Sequence, residues 1–169
     1  MKSVSLQESG VARISIAMAT LDGASMSKLR FLIDTGATRT TIPKYKLVNE
    51  LGYTDAFMQE SKKILPEHEK PLMANGKRAD VYQIIAPRIN IDGHELQPGY
   101  ILTSDTIANL NLLLGLDILS YFKFTYDFDA IDDDAPHGRM FYEFRESRIA
   151  PFTKLGEHFA YKLDESGVS

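Results

Sequence analysis

The chain has 169 residues, 44 % hydrophobic and 25 % charged, with a formal net charge of −4 and no cysteine. That length and apolar content suit one domain with a sizeable core. The mild acidity argues against a polyanionic partner such as nucleic acid, and the missing cysteines exclude disulfides, thiol catalysis and cysteine-based zinc sites.

Residues Met1 to Gly10 are polar and lack the apolar centre of a secretory signal. The longest apolar run, around Leu110 to Leu119, is interrupted by Asn111, Gly115 and Asp117 and is too short to cross a bilayer. The expectation is a soluble cytoplasmic protein that does not engage a membrane.

Val11 to Thr20 alternates, with Ile14, Ile16 and Met18 on one face, and predicts a strand. Leu21-Asp22-Gly23 turns it into a return strand, Leu29 to Asp34. Pro43 marks a helix start, and Lys44 to Leu51 predicts a short helix stopped at Gly52. Asp55 to Pro66 carries no decisive pattern. Pro71 to Lys77 holds an Asn75-Gly76 hairpin signal, followed by a β-rich stretch from Ala79 to Ala86. Arg88 to Asp92 and Glu95 to Thr103 predict a hairpin across Asp92-Gly93.

Asn111 to Leu114 reads as an apolar strand ended by Gly115, and Leu116 to Phe122 as a short helix. Phe124 to Phe128 and Arg139 to Phe144 predict two more strands around the acidic loop from Asp129 to Gly138. Beyond Arg145 the pattern dissolves. The expectation is a mainly β domain over 1–145, barrel- or sandwich-like, with an irregular extension over 146–169. Leu29 to Lys46 and Asn111 to Phe122 share one plan, an apolar strand, a glycine and a short helix, which suggests two related halves.

The most informative run is Phe31-Leu32-Ile33-Asp34-Thr35-Gly36-Ala37-Thr38. A carboxylate ending an apolar strand is costly to desolvate, so it is paired, hydrogen-bonded or functional. Asp-Thr-Gly is also a good turn sequence, but a turn aspartate seldom follows Phe-Leu-Ile. Glycine at this point permits unusual dihedrals and a close backbone approach.

Together with Leu112-Leu113-Leu114-Gly115-Leu116-Asp117-Ile118-Leu119, this run resembles the retropepsin-like, or retroviral-type, aspartic proteases, in their cellular and bacterial single-domain form. The resemblance covers roughly Val11 to Phe144. It implies an acid-protease fold, a closed β-barrel-like half-unit with short helices. It implies Asp34, Thr35 and Gly36 as catalytic residues. It also implies Ala37, Thr38, Leu114, Gly115 and the flap residues Met73, Ala74, Asn75 and Gly76 as substrate-binding residues.

Only one Asp-Thr-Gly is present, so the resemblance implies a homodimer in which two copies of Asp34 meet on the two-fold axis. Thr35 would brace the pair, and the flap would close over an extended peptide. Two carboxyls sharing one proton activate water for peptide hydrolysis, one as base and one as acid, with no metal or cofactor. In the family a terminal strand builds the dimer, and Met140 to Phe144 is the candidate here. Thr38-Arg39 and Leu116 depart from the viral pattern of acidic residues after the alanine and a basic residue after the second glycine.

A catalytically silent dimerisation or peptide-binding module of the same fold is the alternative reading. Asp132-Asp133-Asp134 lacks the spaced ligands of a calcium loop and reads as a solvated turn. His68, His94, His137 and His158 are scattered singly, without metal-ligand spacing.

Overall fold

A computed structural model describes residues 1–145. Its centre is the antiparallel hairpin of β2 (Arg13–Ala19) and β3 (Met26–Ile33). Alternation places Ile14, Ile16 and Met18 of β2 and Leu29, Phe31 and Ile33 of β3 on the same buried face, with Ile16 opposite Leu29 and Ile14 opposite Phe31. Cross-strand apolar pairs of this kind stabilise a sheet and fix its register, because a one-residue slip would turn the apolar set to solvent.

On one side, β2 pairs with β6 (Ile89–Ile91), which pairs with β7 (His94–Leu96). On the other, β3 pairs in parallel with β9 (Leu113–Leu114). A second sheet has the order β4 (Lys63–Ile64), β5 (Tyr82–Ile85), β8 (Tyr100–Thr103). Thr41 joins the two sheets, bridging Leu102 of β8 on one side and Leu113 of β9 on the other. The third sheet has the order β1 (Lys2–Ser5), β11 (Arg139–Phe144), β10 (Phe122–Asp127). The helices are short: α1 (Lys44–Asn49), α2 (Asp55–Ser61) and α3 (Leu116–Leu119).

One apolar core draws on β2, β3, β5, β6, α1 and α3, with Phe31, Ile16, Met18 and Ile118 fully enclosed. No helix among the described residues is long and apolar enough to cross a membrane. The chain is mainly β, as expected, although no strand ladder closes into a barrel among these residues.

Several elements differ from the sequence reading. The undecided stretch after Asp55 opens with α2, whose first turn is capped by the Thr54 hydroxyl accepting from Phe57 N–H at 3.1 Å. The expected second arm, Glu95 to Thr103, splits at Gln97-Pro98-Gly99. Its first part pairs with β6 and its second part, β8, pairs with β5. Proline removes a ladder donor, and Gly99 takes φ +90°, so the strand leaves one sheet and enters the other. The polar N-terminus contributes β1.

Met140 to Phe144 is the central strand of its sheet, paired on one edge with β1 and on the other with β10. Within one chain it is therefore an inner strand over Arg139 to Tyr142, while Glu143 and Phe144 have no β1 partner. The tail expected over 146–169 lies outside the described residues.

Phe31 is fully buried at the centre of β3. Phe31→Ala is expected to lower unfolding free energy by about 3–5 kcal/mol, measured as a shift in the denaturant midpoint at unchanged m-value.

Candidate active site

Asp34 is the first residue past β3, and three hydrogen bonds fix it. Its N–H donates to Leu114 O at 3.1 Å, its carbonyl accepts from Ala37 N–H at 3.1 Å, and its Oδ1 accepts from Gly36 N–H at 2.9 Å. The last is an Asx turn, which orients the carboxylate on the backbone. The side chain is half-exposed. The sequence suggests a desolvated acid, and the structure shows an oriented one at the floor of an open cleft.

Gly36 has a different reason from the one expected. It is not among the positive-φ residues. A Cβ built on it would lie 3.2 Å from Asp34 Oδ1, so glycine keeps space for the carboxylate in its Asx turn. Thr35 is exposed, and its hydroxyl makes no hydrogen bond among the described residues.

The loop from Asp34 to Thr41 wraps around β9 and the start of α3. Leu32 N–H donates to Leu112 O (2.8 Å), Leu116 N–H to Ala37 O (2.9 Å) and Asp117 N–H to Thr38 O (3.2 Å). Thr41 N–H donates to Leu113 O (2.9 Å) and Leu113 N–H returns to Thr41 O (3.2 Å). Gly115 sits at the crossing. A Cβ there would be 2.5 Å from the carbonyl carbon of Arg39 and 2.6 Å from its oxygen.

Beside the crossing, Asp117 accepts Thr40 N–H at 3.0 Å on Oδ2 and the Thr40 hydroxyl at 2.7 Å on Oδ1. That hydroxyl in turn accepts Gly115 N–H at 3.2 Å. Burial raises the Asp117 carboxyl above its ordinary value, opposed by its hydrogen bonds from Thr40 and Ile118 and by the Arg39 charge.

The cleft over Asp34 has a volume of about 890 Å³. Its floor is Asp34, Gly36, Ala37 and Thr38, and Met73 and Ala74 line the facing side. These two belong to a small hairpin, in which Met73 N–H donates to Lys77 O (2.8 Å) and Gly76 N–H to Met73 O (3.0 Å). Asn75 Oδ1 accepts Lys77 N–H at 3.0 Å, and Gly76 takes φ +79°, as a tight turn requires.

Six of the expected residues thus come together around the cleft: Asp34, Gly36, Ala37, Thr38, Met73 and Ala74. Thr35, Asn75, Gly76, Leu114 and Gly115 do not line it. Asn75 and Gly76 shape the hairpin tip, and Leu114 and Gly115 are buried beneath the loop.

The sequence reading assigned no role to Thr40 or Asp117, nor to the wall formed by Ile107, Leu110 and Asn111. An acid two residues after the second glycine was the available signal for the Thr40–Asp117 brace. The wall has no local signal. Asp132 accepts N–H groups from Asp134 and Ala135 and pairs with Arg139 Nη2 at 2.7 Å, which makes the acidic run a turn. Among the described residues, no three His, Asp or Glu side chains are grouped to hold a metal.

With this geometry, the chain is similar to the crystal structure of a retropepsin-like aspartic protease from Rickettsia conorii. The identity is 21 % and the TM-score 0.52, over 82 % of this chain and 86 % of that one. It is also similar to EIAV protease complexed with the inhibitor HBY-793, at 18 % identity and a TM-score of 0.48, over 69 % of this chain and 92 % of that one. No protein-family model matches the sequence, and no curated protein matches it. The fold is therefore retropepsin-like. At this identity the likeness defines architecture, and chemistry has to be argued from the site itself.

Gly115→Ala is expected to destabilise the protein by more than about 2 kcal/mol, because backbone rather than a flexible side chain blocks the new methyl. Thermal unfolding measures it. Asp117 gives a pH test. Its carboxyl is raised above the ordinary 3.8, so the folded state holds the proton more tightly than the unfolded state does. Its contribution to stability is therefore fully present below about pH 4 and is lost as pH rises through the folded-state value. Asp117→Asn cannot ionise, so the Tm of the variant minus that of wild type should grow from about pH 4 to about pH 7. A difference that is constant or shrinks over that range contradicts the assignment.

Proposed function

We propose that the chain is an aspartic endopeptidase acting as a symmetric homodimer, in which the Asp34 carboxyls of two copies share one proton. The observation that carries this reading is a single aspartate, oriented by its own Asx turn on the floor of a hairpin-lined cleft, within a retropepsin-like fold. One copy supplies one such carboxyl. Peptide hydrolysis by acid–base chemistry needs two, held in different protonation states.

In the proposed dimer the two carboxyls lie close enough that both cannot ionise together. One removes a proton from a water between them, and the other protonates the oxygen of the scissile carbonyl. The water oxygen adds to the carbonyl carbon to give a gem-diol, and the C–N bond breaks as the amide nitrogen receives the proton taken from water, leaving a carboxylic acid and an amine. The dyad titrates as a pair.

Gly36 leaves room for the carboxylate orientation, and the exposed Thr35 hydroxyl is available to brace one loop against its mate. Met73 and Ala74 would lie over an extended peptide and shield the reacting centre from bulk water. The reaction as proposed uses no cofactor.

Asp34→Asn keeps an oxygen to accept Gly36 N–H but removes the shared proton. It is expected to lower peptide cleavage at least about 100-fold while leaving the dimer mass unchanged by sedimentation. Unchanged cleavage overturns the reading. Loss of mass together with activity points to an assembly role instead. Wild-type specific activity should also fall on dilution as dimers separate, and kcat/KM should be bell-shaped in the acidic range.

A further inference from the structure

Two arginines line the cleft without a carboxylate of their own. Arg39 follows the Asp34 loop on the floor, and Arg78 stands on the returning arm of the Asn75-Gly76 hairpin. Among the described residues, neither has a carboxylate oxygen within 4.0 Å.

Arg39 is the stronger case. Its guanidinium carbon lies 4.2 Å over the centre of the Tyr100 ring, a cation–π contact that holds the group flat and in place. Its Nη1 is buried and has no hydrogen-bond partner. A buried donor left unmade is unfavourable, more so when charged. Asp117, the acid whose charge Arg39 feels, has both oxygens engaged by Thr40. Arg78 donates from Nη1 to the Lys70 carbonyl at 2.9 Å, which anchors it without neutralising it.

The other charges around the cleft do not cancel these two. Lys70 pairs with Glu67 at 3.2 Å. Asp34 is committed to the chemistry in the proposed reading, and Glu69, an exposed residue of the cleft lining whose charge reaches Tyr100, is in ion-pair contact with neither arginine. The cleft therefore holds one fixed guanidinium with no carboxylate in ion-pair contact, Asp117 acting on it only at longer range, and a second on the hairpin. Arginine suits carboxylates because its planar fork can give two parallel charge-assisted bonds.

We propose that this cleft selects peptides carrying an acidic side chain near the scissile bond, read chiefly by Arg39 with Arg78 contributing from the hairpin. The proposal rests on the protease reading only for placing a peptide in the cleft, and the two are tested apart. Selection is read by binding to the Asp34→Asn protein, using fluorescence anisotropy with two labelled degenerate peptide pools, identical except that one contains Glu where the other contains Gln. Function is read by wild-type cleavage of the same pools.

The Glu pool is expected to bind roughly 10-fold more tightly than the Gln pool. That ratio should fall to near unity when Arg39→Met is added, fall partly with Arg78→Met, and survive in part with Arg39→Lys, which keeps the charge but not the fork. Equal binding of the two pools by the Asp34→Asn protein overturns the proposal. So does a ratio that survives Arg39→Met. So does a loss of dimer mass in both Arg39 variants, since the guanidinium would then serve the other subunit. Cleavage of both pools at equal rates leaves the protease reading standing without this selection. A Glu preference in binding with no cleavage by wild type leaves the selection standing without the protease reading.

Discussion

The Gly115 Cα lies against the backbone of Arg39 with no room for a side chain between them, and the geometry of the site follows from that contact. β9 has to pass beneath the loop from Asp34 to Thr41, and the passage is only as wide as two bare backbones. Because the backbones are that close, the loop hangs by main-chain hydrogen bonds on β9 at Asp34 and Thr41 and on the start of α3 at Ala37 and Thr38. Main-chain bonds do not depend on rotamers, so the position of the Asp34 Cα is set by sheet geometry. Only the carboxylate direction is left, and the Gly36 N–H settles it. Thr40 and Asp117 close the same crossing from the other side with charge-assisted bonds, which are stronger than neutral ones.

This economy also explains why the half-exposed state of Asp34 is compatible with an acid–base role. A carboxyl buried deep in one chain would have to be desolvated during folding, before any partner was present. Here the single chain keeps the group hydrated and hydrogen-bonded, at little expense to its own stability. In the proposed dimer the proton is shared between two carboxyls, which act as acid and base together as a pair. The cleft of one chain supplies positioning, and in the proposed dimer the assembly would supply the electrostatics.

Local signals in the sequence were strong where one residue type has one physical use. Apolar alternation gave β2 and β3, because a two-residue period has one buried face. Asn75-Gly76 gave the hairpin, because few residues tolerate positive φ. The glycine at 115 was legible as part of a motif, though not as a contact with Arg39, which is distant in sequence. Where several physical uses compete, the sequence was silent or misleading. Gly36 read as a glycine for unusual dihedrals or a close backbone approach, and what it leaves room for is the Asp34 carboxylate. Met140 to Phe144 was the dimer-strand candidate by resemblance alone, since nothing local reveals that β10 and, up to Tyr142, β1 pair with it inside the chain. The change of sheet at Pro98-Gly99 and the cleft wall around Ile107 and Leu110 depend on non-local packing and leave no period to read. Thr54 did leave a sign for α2, a capping hydroxyl ahead of Asp55, but two helical turns hold too few apolar residues to make a pattern.

The residues proposed to select what enters the cleft fall into this second group. Arg39 and Arg78 are unremarkable in the sequence, where a single arginine is usually a solvated surface charge. What distinguishes them is what surrounds them: an aromatic face under one guanidinium, a carbonyl anchoring the other, and the nearest acid already committed to Thr40. The Thr40–Asp117 brace therefore has a second consequence. The Thr40 bonds orient Asp117, and with no Asp117 oxygen within 4.0 Å of the guanidinium its charge reaches Arg39 only at longer range. Shape and charge in this site thus meet at the same carboxylate, through the bonds it makes and through the one it does not.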